Sequence, residues 1–232
     1  MERVSTGISG LDSVMEGYPL GRSILVSGKS GTGKTILALQ FVRSVCAAGG
    51  KVNFISVKEK RDDLIIQAAL FGWGFEELEN RGLLRIMQLM DGRQADAQFS
   101  TYPHDVSFAP IVEAVEDNAD VVVIDNLGVL AVDMTATYFR QQLEYLLSAL
   151  ALRGVTSMIV IDESTLLKFG EVAESVFDGV VKLGKRDNPF TDNRERVLEI
   201  SKMRNTEHPI NYLKFRISPK GIVLDMHQSS LA

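Results

Sequence analysis

Apolar residues recur along the first two thirds of this chain in two alternating styles. Short runs in which most positions are hydrophobic, at 23–27, 52–57, 83–90, 121–125 and 155–161, have the length and texture of strands buried on both faces. Longer stretches with apolar residues three and four apart separate them. Residues 35–48, 61–71, 75–80, 111–119 and 139–152 therefore read as helices, with Leu64, Ile65, Ala68 and Leu70 inward on the second, and Leu143, Leu146, Leu147 and Leu150 on the last. After Phe177 the alternation stops. Residues 178–183, 196–204, 212–217 and 222–225 read as strands joined by turns, with Asn188-Pro189 and Pro219-Lys220-Gly221 as the turn signals. The pattern predicts an α/β fold: a mostly parallel sheet with helices on both faces, extended by antiparallel strands toward the C-terminus. At the start, glycines and a proline over 6–21 bracket a short apolar piece that Ser9 or Asp12 can open as a helical turn, expected to cover a sheet edge. Residues 91–110 are polar and aperiodic. A loop of that length in a compact domain is expected to be functional or mobile.

Length and charge narrow this picture. A chain of 232 residues suits one sizeable α/β core, so a single domain over 1–232 is expected. A net charge of −5 gives no global basic field for nucleic acid or anionic lipid, and the 91–110 loop has one Arg and no Lys. No apolar run approaches the ~20 residues of a membrane span. Met1–Ser5 lacks a signal-peptide profile, and the lone Cys46 reads as packing, so a cytoplasmic home is expected.

The chemistry is concentrated after the first buried run. Gly28-Lys29-Ser30-Gly31-Thr32-Gly33-Lys34-Thr35 fits the phosphate-loop pattern G-x-x-x-x-G-K-[ST], with a strand before it and a helix from Thr35 and Ile36 after it. Gly28, Gly31 and Gly33 let the backbone turn tightly and offer N–H groups to phosphate oxygens. The helix N-terminus adds a dipole favourable to an anion. Lys34 is placed to reach the β- and γ-phosphates, and the Thr35 hydroxyl to take a Mg²⁺ position. Asp125 ends a run of four aliphatic residues, at the carboxyl edge where such sheets bind ligands, and is the candidate second metal group. Asn126 is a candidate orienting residue. Glu59 follows the next strand and is the candidate base for water, with Glu163 as a second choice. Lys202 and Arg204, two apart on a strand, share a face. They are candidate γ-phosphate ligands for a neighbouring subunit. No His/Cys cluster has metal-site spacing, so no zinc is expected.

These residues resemble the KaiC family within the RecA-like P-loop ATPases, over nearly the whole chain. Ser5-Thr6-Gly7-Ile8-Ser9-Gly10-Leu11-Asp12 is similar to its N-terminal signature, and Gly28 to Ile36 to its nucleotide-binding loop. Phe71-Gly72-Trp73 matches a tripeptide common after its second strand. Ile124-Asp125-Asn126 resembles its metal-binding strand end, which usually reads Asp followed by Ser. Lys202-Met203-Arg204-Asn205-Thr206-Glu207-His208 resembles its K-x-R-x-T-x-H segment. The resemblance implies ATP and Mg²⁺ as ligands and a homo-oligomer, a ring of six. It also implies nucleotide contacts across the subunit boundary by Lys202, Met203, Arg204, Thr206 and His208. Two departures matter. Lys58-Glu59 stands where the family usually has paired glutamates, and the chain has one domain without the segment on which the clock protein phosphorylates itself. Clock function and autokinase activity are therefore not carried over.

The resulting expectation is a slow Mg-dependent ATPase that assembles in rings and acts as a regulatory or signalling switch, with a regulatory protein as partner. A nucleotide-sensing scaffold without turnover is the second reading, supported by Lys58. A DNA-handling, recombinase-like ATPase is the third, opposed by the acidic balance.

Overall fold

The computed structural model of the chain describes residues 2–89, 107–187 and 193–225. Most of the 91–110 loop, His104, His227 and the Asn188-Pro189 turn lie outside them.

Eleven strands and seven α-helices are arranged along the described residues: β1 Arg3–Val4, α1 Ser9–Met15, β2 Tyr18–Pro19, β3 Ser23–Gly28, α2 Lys34–Ala47, β4 Val52–Ser56, α3 Arg61–Ala69, α4 Phe75–Asn80, β5 Leu84–Gln88, α5 Ala109–Ala114, β6 Val121–Asp125, α6 Ala136–Leu152, β7 Thr156–Asp162, α7 Glu163–Val176, β8 Gly179–Asp187, β9 Arg194–Met203, β10 Leu213–Ser218 and β11 Gly221–Leu224. A 3₁₀ turn, Leu127–Ala131, follows β6. Nine strands form one sheet in the order β11-β10-β9-β8-β3-β7-β6-β4-β5. The pairs from β8 to β5 are parallel, and β8 to β11 form an antiparallel meander. No helix among the described residues is long and apolar enough to cross a membrane.

The period of two along each strand sorts side chains onto opposite faces. Ile24, Val26, Val121, Val123, Met158 and Val160 join one core, with α2 against them. Leu25, Val122, Ile124, Ile159 and Ile161 join the other, under α6 and α7. Full burial of each such aliphatic contributes about 1.5–3 kcal/mol, which holds β3 between its neighbours. α1 covers the β11 edge: a Cβ on Gly10 would sit 3.0 Å from the Leu224 Cβ. Gln40 ties that edge to α2, donating to Gly7 O at 2.7 Å and accepting from Ile222 N at 2.7 Å.

Two sequence expectations are corrected here, and one helix is added. α5 spans Ala109–Ala114, not 111–119, with Pro110 in its first turn, where a missing N–H costs nothing. Past Val115 the chain leaves the helix because Glu116 N donates to Asn53 Oδ1 of β4 at 2.7 Å. Leu70 is 75% exposed because α3 ends one residue earlier, and Trp73 takes the inward place. α7 has no counterpart in the sequence reading. Its Phe169 and Ala173 are buried at helical spacing.

Candidate functional site

β3 delivers the phosphate loop to the carboxyl edge of the sheet, and α2 leaves from it. The loop needs its glycines: Gly28, Gly31 and Gly33 have φ of 146°, 72° and 112°, in the region that favours glycine. A Cβ on Gly28 would lie 2.1 Å from Leu183 O. Thr32 closes the loop on itself through Lys29 O, donating from its hydroxyl at 2.8 Å. Lys34 is 8% exposed. Its ammonium donates to Gly28 O at 3.0 Å and Lys29 O at 3.1 Å and pairs with Asp162 at 2.5 Å. The residue is thereby held inside the loop, facing the place its backbone amides surround.

Asp125 ends β6 and accepts from the Thr35 hydroxyl at 2.7 Å. The Asp125–Asn126 peptide is cis. Burial pushes the Asp125 carboxyl up to about 6. The Glu59 and Asp162 charges add to this, and the Thr35 hydrogen bond and Lys34 oppose it. Glu59 lines the same cavity of about 570 Å³, with Lys58 beside it. Partial burial, then the Asp63 charge, raise its pKa from the ordinary glutamate value. Lys34, Thr35, Ile36, Gly31, Asn126 and Asp162 are among the other residues that line it. Two hard oxygens, from Thr35 and Asp125, within hydrogen-bond distance in a polar cavity suit Mg²⁺.

The sequence reading places Glu163 at the end of the strand; Asp162 holds that position. β7 continues one residue further than its aliphatic run, so Asp162 pairs in register with Gly28 and turns toward Lys34. Glu163 instead starts α7 and lines the cavity on the other side of the loop. Asn126 orients Asp162, donating Nδ2 to its carboxylate at 2.5 Å and accepting from its N–H at 3.3 Å. Arg196 and Gln67, which the sequence reading does not single out, also line the Lys34 cavity. Each keeps a buried atom, Nε and Oε1, without a hydrogen-bond partner among the described residues.

Lys202 and Arg204 are not with these groups. In the ladder, Met203 pairs with Gly179, and Gly179 with Ile24, at the amino edge of β3; Gly28 is at the other edge. At ~3.3 Å per residue the two edges are roughly 13 Å apart, so neither cation reaches its own phosphate loop. The Lys202 ammonium donates to Glu174 O, Ser175 O and Phe177 O at 3.1, 3.3 and 2.6 Å, capping the C-terminus of α7. Burial, then the Arg204 charge, lower its pKa. Arg204 pairs with Asp178 at 3.3 Å. Met203 is 4% exposed with its sulfur against Gly179, so its side chain faces its own core rather than a neighbour. Thr206 accepts from Arg3 at 3.0 Å, and His208 Nδ1 lies 3.3 Å from Pro209 O.

Known proteins are similar to this chain in sequence and in fold. The family model described as "ATPase: KaiC" matches residues 4–229. The circadian clock oscillator protein KaiC of the cyanobacterium Prochlorococcus marinus is 32% identical over 97% of the chain, which covers 46% of that protein. The chain thus spans about half the length of the clock proteins it matches. UPF0273 protein MK0039 of Methanopyrus kandleri is 32% identical over 97% of the chain and 92% of its own length. The crystal structure of the KaiC-like protein PH0186 from Pyrococcus horikoshii OT3 superposes with a TM-score of 0.78 at 30% identity, over 96% of this chain and 98% of that one.

Proposed function

This chain belongs to the KaiC family of ATPases, with an ATP-binding P-loop domain, and on that premise we propose that it is a slow Mg-dependent ATPase whose subunits assemble around the nucleotide. The observation that carries the proposal is the 2.7 Å hydrogen bond from the Thr35 hydroxyl to Asp125, beside the buried Lys34. Those groups, with the Gly28–Thr35 amides, hold a triphosphate. Bound Mg²⁺ supplies charge neutralisation of its β- and γ-oxygens. Glu59 orients the attacking water and accepts its proton, a task suited to a carboxylate of raised pKa in reach of the cavity. The chain works as one domain over 1–232, and occupancy of the site sets how subunits dock, which makes it a switch that a regulatory protein can read.

Glu59→Gln is expected to cut phosphate release about 100-fold or more while leaving ATP affinity within a few-fold. Release and calorimetric binding measured side by side check this. Unchanged release removes Glu59 from the role. Phosphate release indistinguishable from zero in the wild type would instead favour the non-hydrolysing scaffold, for which Lys58 on the cavity wall is the specific observation.

Lys202 and Arg204 act across a subunit boundary in this proposal, as the likeness of residues 202–208 to the family's K-x-R-x-T-x-H segment implies; their place at the amino edge of the sheet keeps them from their own phosphate loop. Lys202 must then release the α7 carbonyls. Lys202→Ala with Arg204→Ala is expected to lower turnover about tenfold or more, with ATP still bound and with loss of the size increase that Mg-ATP produces in the wild type. Turnover and light-scattering mass equal to the wild type would end the trans role.

A further inference from the structure

Arg3 and Thr206 are 203 positions apart in the chain, yet one guanidinium joins them. The Arg3 Nη2 donates to the Thr206 hydroxyl at 3.0 Å and to Asn205 O at 3.3 Å. Its Nη1 donates the other way, to Met15 O at 3.0 Å, where α1 ends, and to Gly17 O at 2.9 Å just beyond. The side chain is 17% exposed. Glu16, at 3.8 Å and 86% exposed, adds little to its hold.

The α1 half of this contact is capping. The last carbonyls of a helix lack intrahelical donors, and a cation there satisfies them. The other half fixes a turn. β9 ends at Met203, and the chain turns at Arg204 and Asn205, with Asn205 at φ 55°. This is left-handed backbone that Asn tolerates better than most residues. The turn is held from two sides. Arg204 N donates to Asp178 O at 2.9 Å, and Arg3 grips Asn205 O and Thr206 from the N-terminal segment. Thr206 closes it internally, its hydroxyl donating to Arg204 O at 3.2 Å. Ending a strand does not require that much. α1 is itself braced, through Gly10 against Leu224 and Gly7 O on Gln40, so Arg3 holds the turn from a fixed body.

We propose that Arg3 is a positioning residue for this turn: it sets where Arg204 and Thr206 stand at the subunit boundary and touches no nucleotide itself. The inference rests on the trans role proposed above for the segment 202–208. A displacement of about 1 Å in a group that must meet a reacting phosphate costs up to about 100-fold in rate, so a turn that drifts is a turn that fails. Lysine is no substitute. It keeps the charge and can cap α1, but its donors leave from a single point, whereas the guanidinium serves α1 with one nitrogen and the turn with the other.

The test is phosphate release, ATP affinity and apo melting temperature for Arg3→Lys, Thr206→Val and the two combined, with the Lys202→Ala, Arg204→Ala double variant as reference. Arg3→Lys is expected to lose about fivefold or more in turnover, with ATP affinity within about twofold and the melting temperature within about 2 °C of wild type. Adding it to Thr206→Val is expected to change turnover by less than about twofold more, because both break one contact. Arg3→Lys is also mixed with Glu59→Gln before Mg-ATP is added. In a head-to-tail assembly the intact turn of Glu59→Gln meets the intact pocket of Arg3→Lys, so the mixture is expected to exceed the sum of its parts about threefold or more. Thr206→Val, which leaves the α1 cap in place, is expected to behave alike in the same mixture. A merely structural role would lower the melting temperature and leave both mixtures at the sum of their parts, which overturns the proposal. Arg3→Lys turnover within twofold of wild type, with the Lys202→Ala, Arg204→Ala variant impaired, overturns it too and leaves the trans reading standing. If that double variant equals the wild type, the trans reading fails and this inference with it.

Discussion

Lys34→Ala is expected to lower ATP affinity about 100-fold or more without unfolding the protein. The ammonium is held inside the loop by Gly28 O, Lys29 O and Asp162, so it meets a phosphate without a further loss of side-chain freedom. Each charge-assisted contact it makes is worth about 1.5–3 kcal/mol, and the variant forfeits more than one. It also leaves Asp125, Glu59 and Asp162 around the cavity without that cation, which repels a triphosphate further. Asp162 is 35% exposed and rehydrates, so the apo fold is expected to survive. Calorimetry with ATP and circular dichroism without it check the two halves. Undiminished affinity would mean that the loop does not bind the phosphates.

Asp125→Asn is expected to separate function from stability in opposite directions. The wild-type carboxyl, raised from 3.8 to about 6 mainly by burial, holds its proton in the folded state over a range where the unfolded chain has released it. The folded state therefore binds more protons between those values, and stability falls as pH rises through the window, with the full cost present above about 6. That difference corresponds to roughly 3 kcal/mol as a ceiling. Asn keeps an acceptor for the Thr35 hydroxyl and carries no charge, so apo Asp125→Asn is expected to melt above the wild type at pH 7 and level with it near pH 4. Mg-dependent turnover is expected to fall at least 100-fold, because the carboxylate that the cation needs is gone. Melting curves at the two pH values and phosphate release decide the matter. A variant no more stable at pH 7 than the wild type would place Asp125 in a better-solvated setting than its burial indicates.

The local signals in the sequence reach a good part of this site. Glycine spacing, a preceding aliphatic run and a following helix are all encoded in one short stretch, so β3, the loop and α2 are readable from the chain alone. Asp125 is legible because it terminates an unbroken aliphatic run. Asp162 carries the same signal, yet choosing it over Glu163 requires knowing that it pairs with Gly28, a register set between distant segments. Arg3 is harder still: its reach to Thr206 exists only once β1 and the turn after β9 are brought together. Lys202 and Arg204 do not share a strand face as their spacing suggests, because β9 ends at Met203 and Arg204 is in the turn beyond it, and nothing local says that the Lys202 protons go to the end of α7. The helix α7 itself has Leu166, Phe169, Ala173 and Val176 at helical intervals, with Gly170 among them to blur the pattern. α5 ends early because of Asn53, 63 residues before the Glu116 amide that it captures, so no local stop signal announces the end.

A crystal grown with Mg²⁺ and a slowly hydrolysed ATP analogue tests the central claim most directly. The prediction is a β-phosphate cradled by the Gly28–Thr35 amides, Lys34 turned from Asp162 onto the phosphate oxygens, and the cation bound by the Thr35 hydroxyl with Asp125 beside it. Nucleotide density elsewhere on the molecule, or a loop still closed over the Lys34–Asp162 pair at saturating analogue, would contradict it.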